Sequence, residues 1–119
     1  EVDMDKAGRV VAGVLDCDAK PLTVATTHLS WQFGVGVDQL RQAETFLQNL
    51  PGPWVLGGDF NMRKNASIWP SLVDGPTYPA HEPTFQMDYI VSDLIATNTS
   101  IHKFSFSDHR GVLAEVSLR

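Results

Sequence analysis

The organisation of this chain is decided by residues 54–61, which read Trp54-Val55-Leu56-Gly57-Gly58-Asp59-Phe60-Asn61. The apolar beginning of this stretch predicts a buried strand, and the paired glycines end it. Asp59 and Asn61 are two positions apart, so in an extended segment their side chains point to the same side. A carboxylate can act as a general base or metal ligand, and a carboxamide can donate to a phosphate oxygen. Gly, Asp and Asn are also ordinary turn residues, so the stretch alone leaves both a chemical site and a plain turn open.

Length and composition describe one soluble globular domain. The chain has 119 residues, of which 43% are hydrophobic and 19% charged, and this suits a single core. Its net charge of −5 argues against a strong nucleic-acid footprint, because generic affinity for nucleic acid comes from Lys and Arg. A single cysteine, Cys17, excludes an internal disulfide. No apolar run approaches the roughly 18–20 residues that cross a bilayer, and no signal peptide is recognisable, so we expect no membrane span and favour the cytoplasm.

The first part of the chain predicts an antiparallel hairpin. Residues 9–16 and 22–29 are rich in strand-forming residues and enclose a run of turn formers at 16–21. Residues 1–8 begin like a calcium loop, but two of the ligand positions are apolar. We interpret them as a turn.

One amphipathic helix is predicted at residues 37–50. Its apolar residues recur three and four positions apart and form a single stripe (Leu40, Ala43, Leu47 and Leu50). Asp38 is the expected N-cap, and Pro51-Gly52-Pro53 is the expected stop. A strand at 54–58 follows, so the order predicts neighbouring strands covered by this helix on one face.

The second part of the chain predicts a long irregular segment and further strands. Residues 62–86 contain four prolines, with a helical turn expected at 68–73 and aromatic side chains packing the segment down. Strands are expected at 87–92, 101–106 and 111–118. The fold class is therefore α/β in the α+β sense, a mostly antiparallel or mixed sheet with one main helix on one face.

Four short motifs place polar side chains in or just after predicted strands. They are Thr27-His28-Leu29, Gly58-Asp59-Phe60-Asn61, Met87-Asp88-Tyr89-Ile90 and Ser107-Asp108-His109. Each has an ordinary structural explanation, since a lone histidine often lies on the surface and a buried Asp can simply bind backbone. If the strands share a sheet, we expect six residues to converge on one rim: His28, Asp59, Asn61, Asp88, Asp108 and His109.

These motifs, in this order, resemble the C-terminal half of the endonuclease/exonuclease/phosphatase superfamily, which includes deoxyribonuclease I. The resemblance spans residues 27–109, and Gly-Asp-Phe-Asn followed by Ser-Asp-His is its most specific part. It implies half of a four-layer αββα sandwich, a divalent metal, Mg²⁺ or Mn²⁺, and hydrolysis of a phosphoester. In its intact form the protein would then be a metal-dependent phosphodiesterase, nuclease or small-molecule phosphatase.

The resemblance also implies catalytic roles, carried over motif by motif. Asp59 would orient or deprotonate the attacking water, and Asn61 would hold a phosphate oxygen. Asp88 would pair with His109 and fix its tautomer, and His109 would stabilise the charge that develops on the phosphate. His28 would be a second histidine on the phosphate side.

The resemblance also implies a metal site, made by Asp108 together with Asp59. Members of the family carry a metal-side Asn and a metal-ligating Glu upstream of these motifs, and this chain has neither. We therefore expect residues 1–119 to be the C-terminal portion of such a domain without its N-terminal portion, and the isolated chain to be weak or inactive.

The residues also suggest two other functions. A non-catalytic binding or assembly module derived from the same fold remains the alternative. A serine hydrolase built from Ser107, Asp108 and His109 fails, because adjacent residues cannot form the relay and no Gly-x-Ser-x-Gly is present.

The substrate is expected to be a phosphoester, but the sequence leaves nucleic acid, nucleotide, phospholipid and inositol phosphate open. The acidic charge favours a small phosphoester or lipid headgroup over long duplex DNA. A sheet face without a covering helix predicts a homodimer or association with the missing N-terminal half. We assign seven residues to this uncovered sheet face: Val10, Ala12, Val14, Val24, Leu56, Ile90 and Val112.

Overall fold

The computed structural model describes residues 2–3 and 9–118, with side chains for 9–118. Their elements, in chain order, are β1 (Val2–Asp3), β2 (Arg9–Cys17), β3 (Lys20–His28), α1 (Val35–Gln48), β4 (Trp54–Asp59), β5 (Asp88–Ser92), β6 (Ile95–His102) and β7 (Gly111–Ser117). The turn expected at residues 1–8 lies outside the described residues except at 2–3, which form β1. No helix in the described ranges is long and apolar enough to span a membrane.

Strands β1 to β5 form one mixed sheet in the order β1-β2-β3-β4-β5. The predicted hairpin is confirmed: β2 and β3 pair antiparallel, and Asp18 and Ala19 turn the chain with φ angles of 55° and 66°. Strands β3 and β4 are parallel, because α1 carries the chain back between them. Strand β5 pairs antiparallel with β4. The carboxyl ends of β3 and β4 therefore meet the start of β5 at one edge.

The helix begins and ends two residues earlier than predicted, at Val35–Gln48. The prediction of Asp38 as N-cap was wrong: the N-cap is Gly34, which has a left-handed backbone with φ 79°. The amide of Asp38 donates to the Gly34 carbonyl at 3.2 Å, so Asp38 already lies within the first turn. There its negative charge still suits the positive end of the helix dipole.

The helix packs on one face of the sheet, and this face holds the core. Leu40, Ala43 and Leu47 are fully buried, as the apolar stripe predicted. They pack against Val10 and Leu56, together with further core residues from β3, β4 and β5. Side chains alternate between the two faces of a strand, and each of these sheet residues pairs with a buried residue on its neighbour.

The residues assigned to the uncovered face were therefore partly wrong. Val10 and Leu56 are fully buried on the helix side, and Ala12 also packs against the helix-side core. The opposite face is instead formed by residues of the other parity, and Val11, Leu15 and Val24 are between 41% and 51% exposed there. The prediction exchanged the two faces of the sheet for part of the residues. Strand β2 has apolar residues at both odd and even positions, so the sequence pattern does not show which set faces the helix.

Strands β6 and β7 form a second, two-stranded sheet. The strand expected at 101–106 was wrong in its bounds, because β6 runs from Ile95 to His102 and residues 103–106 form a loop. The alternation of Phe104 and Phe106 resembles a strand, but their rings stack on each other at 5.2 Å between centroids. The strand at 111–118 is confirmed as Gly111–Ser117.

The long segment 62–86 packs down through aromatic side chains, but the helical turn expected at 68–73 is absent from it. The Ile68 amide donates to the Glu44 carboxylate at 3.0 Å, and the Leu72 amide donates to the Ile90 carbonyl at 2.8 Å. The backbone is therefore held by the helix and by β5 rather than by its own turn. Tyr78 and Phe85 pack together with ring centroids 5.8 Å apart.

Candidate catalytic site

Three strand ends line up at one edge of the five-stranded sheet. The register places His28 opposite Asp59 in the parallel pair and Asp59 opposite Asp88 in the antiparallel pair. Neighbouring strands lie about 4.8 Å apart, so three ionisable side chains stand in a row on the same face. By parity this face is the one opposite α1.

Asp59 is the centre of the site. Its Oδ1 accepts a hydrogen bond from the Asn61 amide at 2.9 Å. Its Oδ2 lies 3.4 Å from His28 Nε2 and 3.6 Å from His109 Nε2. One carboxylate oxygen is thus held by the backbone, and the other faces two imidazoles.

The glycine before Asp59 makes this geometry possible. Gly58 has φ 148° and lies so close to the Thr27 carbonyl that a Cβ there would overlap it. Asn61 also adopts a left-handed backbone, with φ 50°. A close strand approach followed by a sharp turn explains the pattern Gly-Asp-Phe-Asn at the end of β4.

The side chain of Asn61 points back toward Leu29, at the start of the loop that follows β3. Its Nδ2 donates to the Leu29 carbonyl at 2.7 Å, and the Leu29 amide donates to the Asp59 carbonyl at 2.9 Å. A carboxamide has two N–H donors, so the phosphate role predicted for Asn61 would use the second one. The first one ties the end of β3 to the end of β4.

Asp88 holds His109. The distance from Asp88 Oδ2 to His109 Nδ1 is 2.8 Å. An ionised carboxylate only accepts hydrogen bonds, so Nδ1 carries the proton and Nε2 is directed toward Asp59. The Tyr78 ring packs against the imidazole, with 4.7 Å between ring centroids.

Thr77 is a member of the site that the sequence did not reveal. This fully buried residue donates through Oγ1 to Asp88 Oδ2 at 2.7 Å. The same hydroxyl accepts from the Met87 amide at 3.0 Å. The backbone carbonyl of Thr77 also accepts from the Arg110 amide at 2.7 Å. Thr77 therefore fixes both the carboxylate and the loop that carries His109. Its only sequence signal is a position between turn-forming residues, which any surface threonine could share.

The protonation equilibria of the two central groups are shifted in the same direction. Burial raises the pKa of Asp59 above its ordinary value, and the charge of Asp88 raises it further, against the hydrogen bond from Asn61 and the two histidines. Burial alone would lower the pKa of His109, but its hydrogen bond to Asp88 and the nearby carboxylates raise it above its ordinary value. Asp59 is thus a better base than an ordinary Asp, and His109 stays protonated to higher pH.

Asp108 and His28 lie at the periphery of the cluster. The side chain of His28 is 74% exposed. Asp108 is exposed, and its carbonyl accepts from the Ala80 amide at 2.7 Å. Its negative charge contributes to the raised pKa of His109.

Three residues lie close enough together that they could hold a metal ion in the state where His109 is unprotonated at Nε2. Asp59, Asp88 and His109 offer ligand atoms that all lie within 4.8 Å of one another. Two carboxylates and an imidazole are suitable donors for such an ion. The predicted metal pair was Asp59 with Asp108, and only Asp59 belongs to this group.

No protein-family model matches the chain, and no curated protein does. Solved structures do match. An endonuclease/exonuclease/phosphatase family protein from Leptotrichia buccalis is 16% identical, with a TM-score of 0.69 over 92% of this chain and 53% of its own. Humanized D. rerio TDP2 with 14 mutations is 13% identical, with a TM-score of 0.68 over 96% of this chain and 62% of its own. Beta toxin 275-280 from Staphylococcus aureus is 16% identical, with a TM-score of 0.65 over 93% of this chain and 58% of its own.

These likenesses cover nearly all of this chain, which in turn spans between 53% and 62% of the length of the matched chains. Identities of 13–16% establish a common fold rather than a common activity. The resemblance expected from the four motifs is confirmed at that level. The chain shares its fold with these solved structures, one of which is an endonuclease/exonuclease/phosphatase family protein, and its mixed sheet, second small sheet and single helix are consistent with half of such a sandwich.

Proposed function

We propose that this chain carries the histidine–aspartate part of the active site of a metal-dependent phosphoester hydrolase. The observation that carries the proposal is the pair of distances around His109. Its Nδ1 is 2.8 Å from Asp88, and its Nε2 is 3.6 Å from Asp59 on the neighbouring strand. A general base thus lies beside an oriented proton donor, and an oxygen of water or phosphate in front of the pair can contact both.

The side chains then act in a simple order. Asp59 Oδ2 accepts a proton from a water as the water oxygen attacks phosphorus, the bond to the leaving-group oxygen breaks, and that oxygen takes a proton from solvent. His109, protonated at Nε2, donates to a phosphoryl oxygen and stabilises the charge of the transition state. Asp88 and Thr77 hold the imidazole in the tautomer and orientation that this role requires. Asn61 and His28 bind further phosphate oxygens.

A hard divalent cation, Mg²⁺ or Mn²⁺, fits the oxygen donors of this edge. We propose Asp59 and Asp108 as ligands, with further ligands from the rest of the protein. Such an ion neutralises phosphate charge and lowers the pKa of bound water.

The activity belongs to the whole protein in this proposal. The matched chains are longer than this one, which spans at most 62% of their length, and we propose that residues 1–119 are the C-terminal portion of such a domain. The isolated chain is then weak or inactive. The substrate is a small phosphoester, in keeping with the net charge of −5.

The sheet face opposite α1 supports an association. Val11, Leu15 and Val24 leave it between 41% and 51% exposed, and the register places these residues on adjacent strands. Contiguous apolar patches are rare on monomers. We propose that the rest of the protein covers this face, or that a second copy does so when this chain is alone. Sedimentation of the isolated chain tests this: a stable monomer at micromolar concentration contradicts it.

The function itself is tested with the full-length protein and a panel of DNA, nucleotide, phosphoinositide and sphingomyelin substrates. We expect hydrolysis of at least one phosphoester with Mg²⁺ or Mn²⁺ and its loss on chelation with EDTA. A full-length protein that binds these compounds without turnover supports the alternative, a non-catalytic binding module. A protein that neither binds nor hydrolyses any of them contradicts both.

A further inference from the structure

A second feature lies next to the catalytic cluster and is unused by the mechanism. It is a cavity of about 420 Å³ between the loop after β3 and the start of α1. Among its lining residues are Trp31, Phe33, Val37, Asp38, Asn61 and Met62. This volume is in the range of small-molecule sites.

Asn61 connects the cavity to the site of chemistry. It lines the cavity, and its amide donates to Asp59 Oδ1 at 2.9 Å. Asn61 therefore borders both the cavity and the catalytic cluster. A substituent on a phosphate bound in front of Asp59 and His109 would reach the cavity past Asn61.

The aromatic side chains of the cavity are exposed to an unusual degree. Trp31 is 77% exposed, and Phe33 is fully exposed. Large aromatic side chains are normally among the best-buried groups of a small domain, since each buries roughly 150–250 Å². Their exposure is thus a cost that a ligand would relieve.

The loop that carries these rings is held in place by hydrogen bonds to α1 and within the loop itself. The Ser30 amide donates to Gln39 Oε1 at 2.7 Å, and the Val35 amide donates to the Gln32 carbonyl at 3.1 Å. Gly36 lies against the Ser30 carbonyl so closely that any side chain there would overlap it. The rings stand on a fixed backbone, and a preorganised surface loses less entropy on binding.

We propose that this cavity binds a planar heteroaromatic ring, such as a nucleobase, that is attached to the phosphoester substrate. The proposal rests on the proposed function. Aromatic side chains stack on any such ring, and the polar groups of Ser30, Gln32 and Asp38 in the lining can pair with its ring nitrogens and exocyclic groups.

Other occupants fit less well. An alkyl chain would desolvate these polar groups without replacing their hydrogen bonds. A second phosphate would find no Lys or Arg in the lining and would meet the Asp38 carboxylate. The cavity therefore favours a mononucleotide or short nucleotide ester over a long polyanion.

Binding to the full-length protein in the presence of Mg²⁺ tests the proposal. Adenosine monophosphate and ribose 5-phosphate form a matched pair, because they share phosphate and sugar and differ in the ring. We expect adenosine monophosphate to bind roughly 5- to 100-fold more tightly, as expected for stacking of one base, and to quench Trp31. The chain's other tryptophans, Trp54 and Trp69, pack against each other, so within these residues the quenching reports on the exposed ring.

Variants assign the preference to the cavity. Trp31→Ala and Phe33→Ala should reduce the ratio of the two affinities toward one, whereas Trp31→Phe should keep most of it. Ile95→Ala removes another exposed apolar side chain, 64% exposed on β6, and should keep the ratio. A ratio that Trp31→Ala leaves unchanged overturns the proposal.

Further ligands separate this proposal from the proposed function. Binding of inorganic phosphate, with equal affinities for adenosine monophosphate and ribose 5-phosphate, overturns the ring site alone. Quenching by adenosine without any binding of inorganic phosphate overturns the phosphoesterase site alone. Tighter binding of hexyl phosphate or phosphocholine than of adenosine monophosphate also overturns the ring site, in favour of an alkyl or a quaternary ammonium group.

Discussion

Two carboxylates of this chain, the buried Glu44 and the partly buried Asp59, show how similar groups serve different purposes. Glu44 on α1 is 3% exposed and is surrounded by donors: Arg41 Nη1 at 2.9 Å, Ser67 Oγ at 2.7 Å and the Ile68 amide at 3.0 Å. Asp59 has one firm donor, the Asn61 amide, and faces a second carboxylate across the strand pair.

The two carboxylates differ in how far the protein satisfies the hydrogen-bonding capacity of their oxygens. Both oxygens of Glu44 are used by the protein, so it fastens the segment after β4 to the helix. One oxygen of Asp59 is directed at two imidazoles, at 3.4 and 3.6 Å, distances longer than a good hydrogen bond. A partly buried carboxylate with a raised pKa and an incompletely satisfied oxygen, next to a histidine whose pKa is also raised, is the pattern expected of a functional group.

The largest expected difference is in turnover. In the full-length protein, Asp59→Asn should lower kcat/KM for the preferred phosphoester by about 10²–10³-fold, the scale of losing one preorganised catalytic group. Glu44→Gln should leave kcat/KM per folded molecule within about threefold, since it touches no reacting atom. Equal losses in the two variants would mean that Asp59 is also only structural.

The positioning role of Thr77 should give the next largest effect. Thr77→Val removes the hydroxyl that holds Asp88, and we expect a loss of kcat of about 10–100-fold, as for other groups that orient a catalytic side chain. Thr77→Ser should restore most of the activity, because it keeps the hydroxyl. The control is Thr97→Val, which removes an exposed hydroxyl that donates to the Glu115 carbonyl at 3.3 Å. A Thr77→Val enzyme with an unaltered pH–rate profile and kcat would contradict the role.

The free energy of unfolding should be changed more by Glu44→Gln than by Asp59→Asn, the reverse of the order expected for turnover. Glu44→Gln leaves donors around a weaker acceptor, and we expect it to lower the free energy of unfolding by about 1–3 kcal/mol. Asp59→Asn should preserve or raise that free energy, because the raised pKa of Asp59 means that folding disfavours its ionised form. Urea unfolding of the two variants at pH 7 measures both changes. A strong destabilisation by Asp59→Asn would reverse the comparison.

The smallest expected effect is the pH dependence of stability due to His109. Its pKa is raised on folding from an ordinary value of 6.5, so the folded state binds the proton more tightly than the unfolded state. The resulting stabilisation is fully present below pH 6.5 and is lost as the pH rises through the raised value. The difference in unfolding free energy between the wild type and His109→Gln should therefore shrink as the pH is raised across this window. A difference that grows with pH would show that the pKa is lowered instead.

The sequence predicts well those features that are encoded locally. The hairpin, the apolar stripe of α1 and the turn chemistry around Asp59 each depend on a few consecutive residues, and so each was predicted close to its observed position. Asp88 and His109 are 21 residues apart, but each lies in a short motif at a strand or turn, and their motif order was informative.

Features decided by packing were not predictable in this way. Thr77 acquires its role only when residues 77 and 88 are brought together in three dimensions. The N-cap is Gly34 rather than Asp38, and Gly36 in the first turn lies against the Ser30 carbonyl, a contact that exists only after the loop has folded onto the helix. Phe104 and Phe106 alternate like strand residues, yet they lie in a loop with their rings stacked on each other. The faces of β2 were misassigned because apolar residues occupy both parities.

The most direct test of the central claim is kcat/KM of the full-length protein for its preferred phosphoester after His109→Ala, at the same Mg²⁺ concentration as the wild type. The account predicts a loss of at least about 100-fold, corresponding to roughly 2.7 kcal/mol of transition-state stabilisation, with unfolding still cooperative. A loss of about tenfold or less in a folded protein would contradict the claim that His109, held by Asp88, acts on the phosphate.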